Sequence, residues 1–339
     1  MLPNLLRYER VSSAELLLTP VTDDILLLPV SAPENHGPHL PLGTDELISE
    51  EVAGRVARDL AEAYPHRRIW LHPTWHLGGA TIRGTGSVKA PSRLLGKVLK
   101  AYLRRFVRQG FRHFVVLSAH GGVPHTGALD DACAALRRMG SRARPVMAVA
   151  PSARVGAKAY FGGYAEAVRA AGVPLSDAEV ADLAIDLHAG RMETAMILAI
   201  DPDLVDPGYR SLPPILPPRR GWLEALARGI EKLAGRFIAD EAKRIEFSQV
   251  LGVAKADLSW ILRGRLEGYV GHPHRASAAE GEALLAAIAG DLSHQIRETF
   301  EGRLDPLDLR SGAYLFRRLV FGAGLVFAAL LAGLALLVF

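Results

Sequence analysis

Between Ile25 and Ala150 short apolar runs alternate with stretches of helical periodicity, and this alternation restricts the fold more than any other feature of the chain. Ile25 to Val30, Ile69 to His72, Phe114 to Ser118 and Pro145 to Ala150 read as buried strands. Asp45 to Ala63, Ser92 to Gln109 and Gly127 to Met139, which lie between them, repeat their apolar residues at helical spacing. Strands separated by helices of that length must return to the same edge of the sheet before pairing again. The expectation is a three-layer α/β/α sandwich around a mainly parallel sheet. In such a sheet a ligand binds beyond the carboxyl ends of the strands, which directs attention to the loops that follow them.

Pro151 to Val180 is richer in Gly and Ala and reads as an excursion over one side of that edge. Asp186 to Ile200 reads as a loop entering a helix, and Pro202 to Pro218, with six prolines, as an extended surface connection. Helical patterns resume at Gly221 to Ala239 and at Ala278 to Thr299. From Leu319 to Phe339 all 21 residues are Leu, Val, Phe, Ala or Gly. Such a run spans roughly 30 Å as a helix, the thickness of a bilayer's hydrocarbon core. It reads as one C-terminal transmembrane helix, the alternative being a buried terminal helix. Arg317 and Arg318 before it place the rest of the chain on the cytoplasmic side. The expected organisation is therefore a catalytic domain over 1–300, a linker over 301–318 and a membrane anchor over 319–339, with the protein held on a membrane and its domain in the cytoplasm.

The chain carries 40 Lys and Arg against 36 Asp and Glu, with no long basic run, so nucleic acid is not an expected partner. Arg7, Glu9 and Arg10 fall where a secretory signal would be apolar, so no signal is expected. Cys133 is the single cysteine, which excludes an intrachain disulfide and leaves His, Asp and Glu as the residues for any metal site.

Three loops concentrate those residue types. Glu34 and His36 follow the first strand two residues apart, a spacing that turns both side chains to one face in extended backbone. Asp45 stands at the expected start of the next helix. Singly these residues read as a solvated loop acid, a turn histidine and a helix cap. Between Pro29 and Asp45, however, four prolines restrict the backbone and two glycines permit tight turns, which favours a preorganised site. His120-Gly121-Gly122 follows the third strand, and His188 precedes Glu193 across Gly190. These two read equally as loop or helix-terminus residues.

Taken in order, Glu34 to Asp45, His120-Gly121-Gly122, His188-Ala189-Gly190 and Glu193-Thr194 resemble the motif set of the creatininase family, with Gly84 to Ser87 and Gly268 to Pro273 extending the resemblance across residues 15 to 290. The resemblance implies that Glu34, His36, Asp45, His120 and Glu193 are metal ligands, with Asp45 bridging two divalent ions, and that His188 is a catalytic proton carrier. Oxygen and imidazole ligands without sulfur suit zinc or manganese. The implied reaction is hydrolysis of a C–N bond of a small or cyclic amide or of a formamide by a metal-activated water. A peptide-trimming metallopeptidase is the alternative within the family, and a catalytically inactive membrane scaffold is the alternative outside it. A ring-like homo-oligomer is the assembly the family implies.

Several positions depart from the family pattern. Gly122 stands where creatinine-cleaving members carry a glutamate, so creatinine is not the expected substrate. Arg191 and Ala195 replace an acid and a serine, His272 replaces an aspartate, and Trp75 to Arg83 lacks the usual aromatic-Gly-x-x-x-Glu-His arrangement. These changes point to a divergent substrate, with Arg83 or Arg191 available to meet an anionic group.

Overall fold

The computed structural model describes residues 2–17, 20–236, 238–263 and 267–310. The chain runs through β1 (Leu5–Arg7), α1 (Ser13–Leu17), β2 (Ile25–Ser31), α2 (Thr44–Ala63), β3 (Ile69–Leu71), β4 (Trp75–His76), α3 (Ser92–Gln109), β5 (His113–Leu117), α4 (Val123–Arg137) and β6 (Met147–Val149). It continues through α5 (Ser152–Tyr160), α6 (Ala165–Ala170), α7 (Asp177–Asp182), α8 (Arg191–Ile200), α9 (Gly221–Ala234), α10 (Glu241–Ile261) and α11 (Ala278–Phe300). The strands lie in the order β1-β3-β2-β5-β6, with β4 pairing β2 beyond β3. Every pairing is parallel, and Leu26 at the centre stands opposite both Trp70 and Phe114.

All seven residues of β2 are buried, as a strand covered on both faces requires. Its side chains alternate between two cores. Ile25 and Leu27 join Val115 and Leu117 under α2, α8 and α11, where Ile48, Val52, Val56 and Leu60 recur at four-residue spacing along α2. Leu26, Leu28 and Val30 join Phe114 and Val116 on the other face, packed against Leu95, Leu99 and Leu103 of α3 and Leu129 and Leu136 of α4. The period of two in the strands and of about four in the helices thus produces the three layers. The expected sandwich is present, with strand and helix boundaries close to those read from the sequence.

The expected membrane helix is a correction. Among the described residues no helix is long and apolar enough to cross a membrane. The longest, α11, carries Glu280, Glu282, Asp291, Arg297 and Glu298 along its length, and charges so placed are incompatible with a hydrocarbon core. The 319–339 run lies outside the described residues. Among the described residues the fold is the sandwich, and neither a transmembrane helix nor a membrane location is supported.

Two further differences bear on the site. The proline-rich connection is less extended than expected, because Asp201 and Asp206 cap short 3-10 turns at Pro202–Leu204 and Pro207–Ser211. The segment after α9 is a second long helix, α10, whose C-terminal Trp260 is fully buried beside His188.

Candidate metal centre

Glu34, His36, Asp45, His120, His188 and Glu193 converge at the carboxyl edge of the sheet. Glu34 and His36 lie in the loop after β2, which is folded back by the Glu34 N–H donating to the Leu42 carbonyl at 2.9 Å. Asp45 opens α2, His120 follows β5, and Glu193 lies in the first turn of α8. Their ligand atoms form two overlapping groups, Glu34 with Asp45 and His120, and His36 with Asp45 and Glu193; within each, all atoms lie within 4.8 Å of one another. Asp45 belongs to both. Its Oδ2 is 3.0 Å from His120 Nδ1 and its Oδ1 is 3.4 Å from His36 Nε2. His188 groups with Glu34 and His36, and its ring lies 4.3 Å from that of His36, centroid to centroid.

Backbone carbonyls fix which ring nitrogen of each histidine faces the acids. A carbonyl only accepts, so His36 Nδ1 donates to the Glu34 carbonyl at 3.0 Å and His120 Nε2 donates to the Gly79 carbonyl at 2.9 Å. His36 Nε2 and His120 Nδ1 are left turned to carboxylates, two for each ring. This is the arrangement in which a second hydrogen bond orients a metal-binding imidazole. His36 Nε2 and Glu34 Oε2 are buried and have no hydrogen-bond partner; the oxygen comes within 2.9 Å of His120 Nδ1, but outside hydrogen-bond geometry. Three carboxylates and two imidazole nitrogens aimed at the same space suit a cation.

The charge balance agrees. Burial disfavours a proton on either imidazole, but the carboxylates outweigh it. His36, facing Asp45 and Glu193, is pushed up to about 9, and His120, facing Asp45 and Glu34, well above its usual range. Asp45 is held well below the carboxylate range by the two imidazoles in spite of its burial. Burial raises Glu193 to about 7, partly countered by His36. This cage requires positive charge, from protons or from metal. His188 differs: burial, reinforced by His36, brings it down to about 4, so its ring is neutral.

The residues that hold these ligands in place were not assigned that role from the sequence. The Ile82 N–H donates to Glu34 Oε1, and the Ala189 N–H donates to Glu193 Oε2 at 2.5 Å. Ala80 and Ala189, at φ 66° and 46°, are the two described non-glycine residues in the left-handed region, and both lie in the loops that hold these acids. Ser49 Oγ donates to the Asp45 carbonyl at 2.6 Å and accepts from the Ala119 N–H at 2.8 Å, tying α2 to the His120 loop. Asp186 accepts from the N–H groups of Arg191, Met192 and His272. Gly271, at φ 120°, passes so close to Asp186 that a Cβ would lie 1.9 Å from its Oδ1, which explains the glycine in that late motif. Tyr160, Val253 and Trp260 complete the walls of a hollow of about 70 Å³ over the acids. No local sequence signal marks these three.

Arg191 is not free to meet a substrate. It is buried, and its guanidinium pairs with Glu280 at 2.8 Å and Glu179 at 2.7 Å. Arg83 is exposed, next to Ile82 at the hollow.

The family model described as "Creatininase: Creatinine amidohydrolase" matches residues 10–296. The chain belongs to the creatininase family. It is thereby a member of a family of metal-dependent amidohydrolases. Among curated creatininase-family relatives it is 26% identical over 278 residues to the mycofactocin precursor peptide peptidase of Mycolicibacterium smegmatis, covering 80% of this chain and 84% of that one. It is 25% identical over 187 residues to the creatinine amidohydrolase of Pseudomonas putida, covering 54% and 67%. The solved structure "Creatininase Mn" superposes with a TM-score of 0.53 at 20% identity, covering 88% of this chain and 98% of that one, which shows a shared fold.

Proposed function

We propose that the chain hydrolyses the C–N bond of a small or cyclic amide or of a formamide at a centre where Glu34, His36, Asp45, His120 and Glu193 would hold two divalent ions, with Asp45 serving both positions. The observation that carries this reading is the membership of Asp45 in both ligand groups, Glu34/Asp45/His120 and His36/Asp45/Glu193. Zinc or manganese suits such an oxygen and nitrogen set. Divalent ions bound there would supply an activated water and polarise the amide carbonyl.

The protein's own groups do the rest. The Gly79 and Glu34 carbonyls hold the His120 and His36 rings in the tautomers that present a lone pair inward. The Ile82 and Ala189 N–H groups fix the carboxylates of Glu34 and Glu193. His188 donates Nε2–H to the Asn35 carbonyl at 2.7 Å, which leaves Nδ1 to carry a proton to the departing nitrogen. Its neutral ring is suited to taking that proton from the nucleophilic water first.

Creatinine does not fit this reading. A Cβ at Gly122 would lie 2.8 Å from His120 Nε2 and 3.0 Å from the Ala80 Cβ, so this backbone has no room there for the glutamate of creatinine-cleaving members. The similarity to a peptide peptidase over four-fifths of the chain favours peptide trimming as the second reading. Incubating the zinc- or manganese-loaded full chain with cyclic amides, formamides and short peptides, and identifying products by mass spectrometry, separates the two. Release of amine and acid from small amides supports the first reading, and cleavage confined to peptides supports the second. No hydrolysis by metal-loaded protein contradicts both.

A further inference from the structure

Beside the hollow over the acids lies a larger chamber of about 160 Å³. The two share His120, Gly121, Tyr160, Glu193 and Val253 in their walls, so the chamber adjoins the candidate metal centre. The rest of its lining is largely aliphatic, from Val52 on α2, Leu117 at the end of β5, Val155 on α5, Met196 on α8, and Leu284 and Ile288 on α11. A dry apolar cavity of about 150 Å³ is large enough to bind benzene. His188 lines the small hollow and not the chamber.

We infer that the chamber receives the acyl part of the substrate, an apolar group about the size of a benzene ring or a six-carbon chain. The polar centre and the apolar chamber meet at His120 and Glu193. An amide whose carbonyl lies at the centre directs one substituent into the chamber and the other toward His188. The nitrogen must face the proton carrier, so the carbon side enters the chamber. This orientation rests on the role proposed above for His188, whereas the size and polarity of the occupant follow from the walls alone.

The test is calorimetric titration of the zinc-loaded full chain with acetate, butanoate and hexanoate, together with hydrolysis of N-methylhexanamide and N-hexylacetamide. Each fully buried methylene strengthens binding about fourfold, so hexanoate, with four more methylenes than acetate, should bind up to about 250-fold more tightly and at least about tenfold if only two of them are buried. Ile288→Phe or Leu292→Phe, both in the chamber wall on α11 and checked for folding by circular dichroism, should remove that preference and leave acetate binding within about twofold. N-methylhexanamide should be cleaved faster than N-hexylacetamide. Equal binding of acetate and hexanoate by the wild-type protein overturns the chamber as a binding site, and faster cleavage of N-hexylacetamide overturns the acyl assignment. A clear preference for hexanoate without hydrolysis of any amide would contradict the hydrolase reading while leaving the chamber in place.

Discussion

Asp45 Oδ2 lies 3.0 Å from His120 Nδ1, while the opposite nitrogen of the same ring donates to the Gly79 carbonyl. The imidazole is thereby held from behind, with its lone pair directed at a buried carboxylate. Two acceptors facing each other without positive charge repel, so the pair is stable only with a proton or a cation between them. The same holds for His36, fixed by the Glu34 carbonyl and facing the other oxygen of Asp45.

Ala189 holds Glu193 through its N–H from a left-handed backbone at φ 46°. Ala189→Val should destabilise the protein by about 1–3 kcal/mol, because a β-branched residue is strongly disfavoured there. Ala189→Gly should keep both stability and metal content. Denaturant midpoints and elemental analysis check this; a valine variant as stable as wild type would contradict it.

Arg191 is predicted to be structural. Arg191→Ala leaves Glu280, 1% exposed, without its partner and should cost about 3–5 kcal/mol. Urea unfolding measures the loss. If stability is unchanged while KM for an amide rises, the guanidinium is a substrate contact after all.

His113, at the start of β5, is neutral in the folded chain: burial, with the nearby charge of Arg67, brings it down to about 4 from the ordinary 6.5. Between those values the unfolded chain binds the proton and the folded chain does not. Stability is therefore fully present above the ordinary value and is lost as pH falls toward about 4. His113→Asn should flatten that part of the stability profile by up to roughly 3 kcal/mol. Parallel profiles for the two proteins between pH 7 and 4 would contradict the assignment.

The sandwich was legible because β2, β3, β5 and β6 are apolar apart from Ser31 at the end of β2 and His113 at the start of β5, and the helices between them repeat at their own period. β1, three residues with a charge at its end, is too short to register as a strand and depends on pairing with β3. Glu34, His36 and Asp45 were legible because they are close in sequence after one strand. Tyr160 and Trp260 were not, since they reach the site from separate elements and no local pattern records that meeting. Arg191 looked available because its partner Glu280 lies 89 residues away. The apolar run at 319–339 was read from composition, and no helix among the described residues supports a membrane span.

The central claim is that Asp45 serves two cation positions, and metal content measures it directly. The full chain, loaded with zinc and dialysed, should hold about two ions, as a dinuclear centre requires. His120→Ala should weaken one position, and Asp45→Asn should empty both while circular dichroism shows the fold retained. An Asp45→Asn protein that folds and still binds two ions, or a wild-type chain that binds none, would contradict the account.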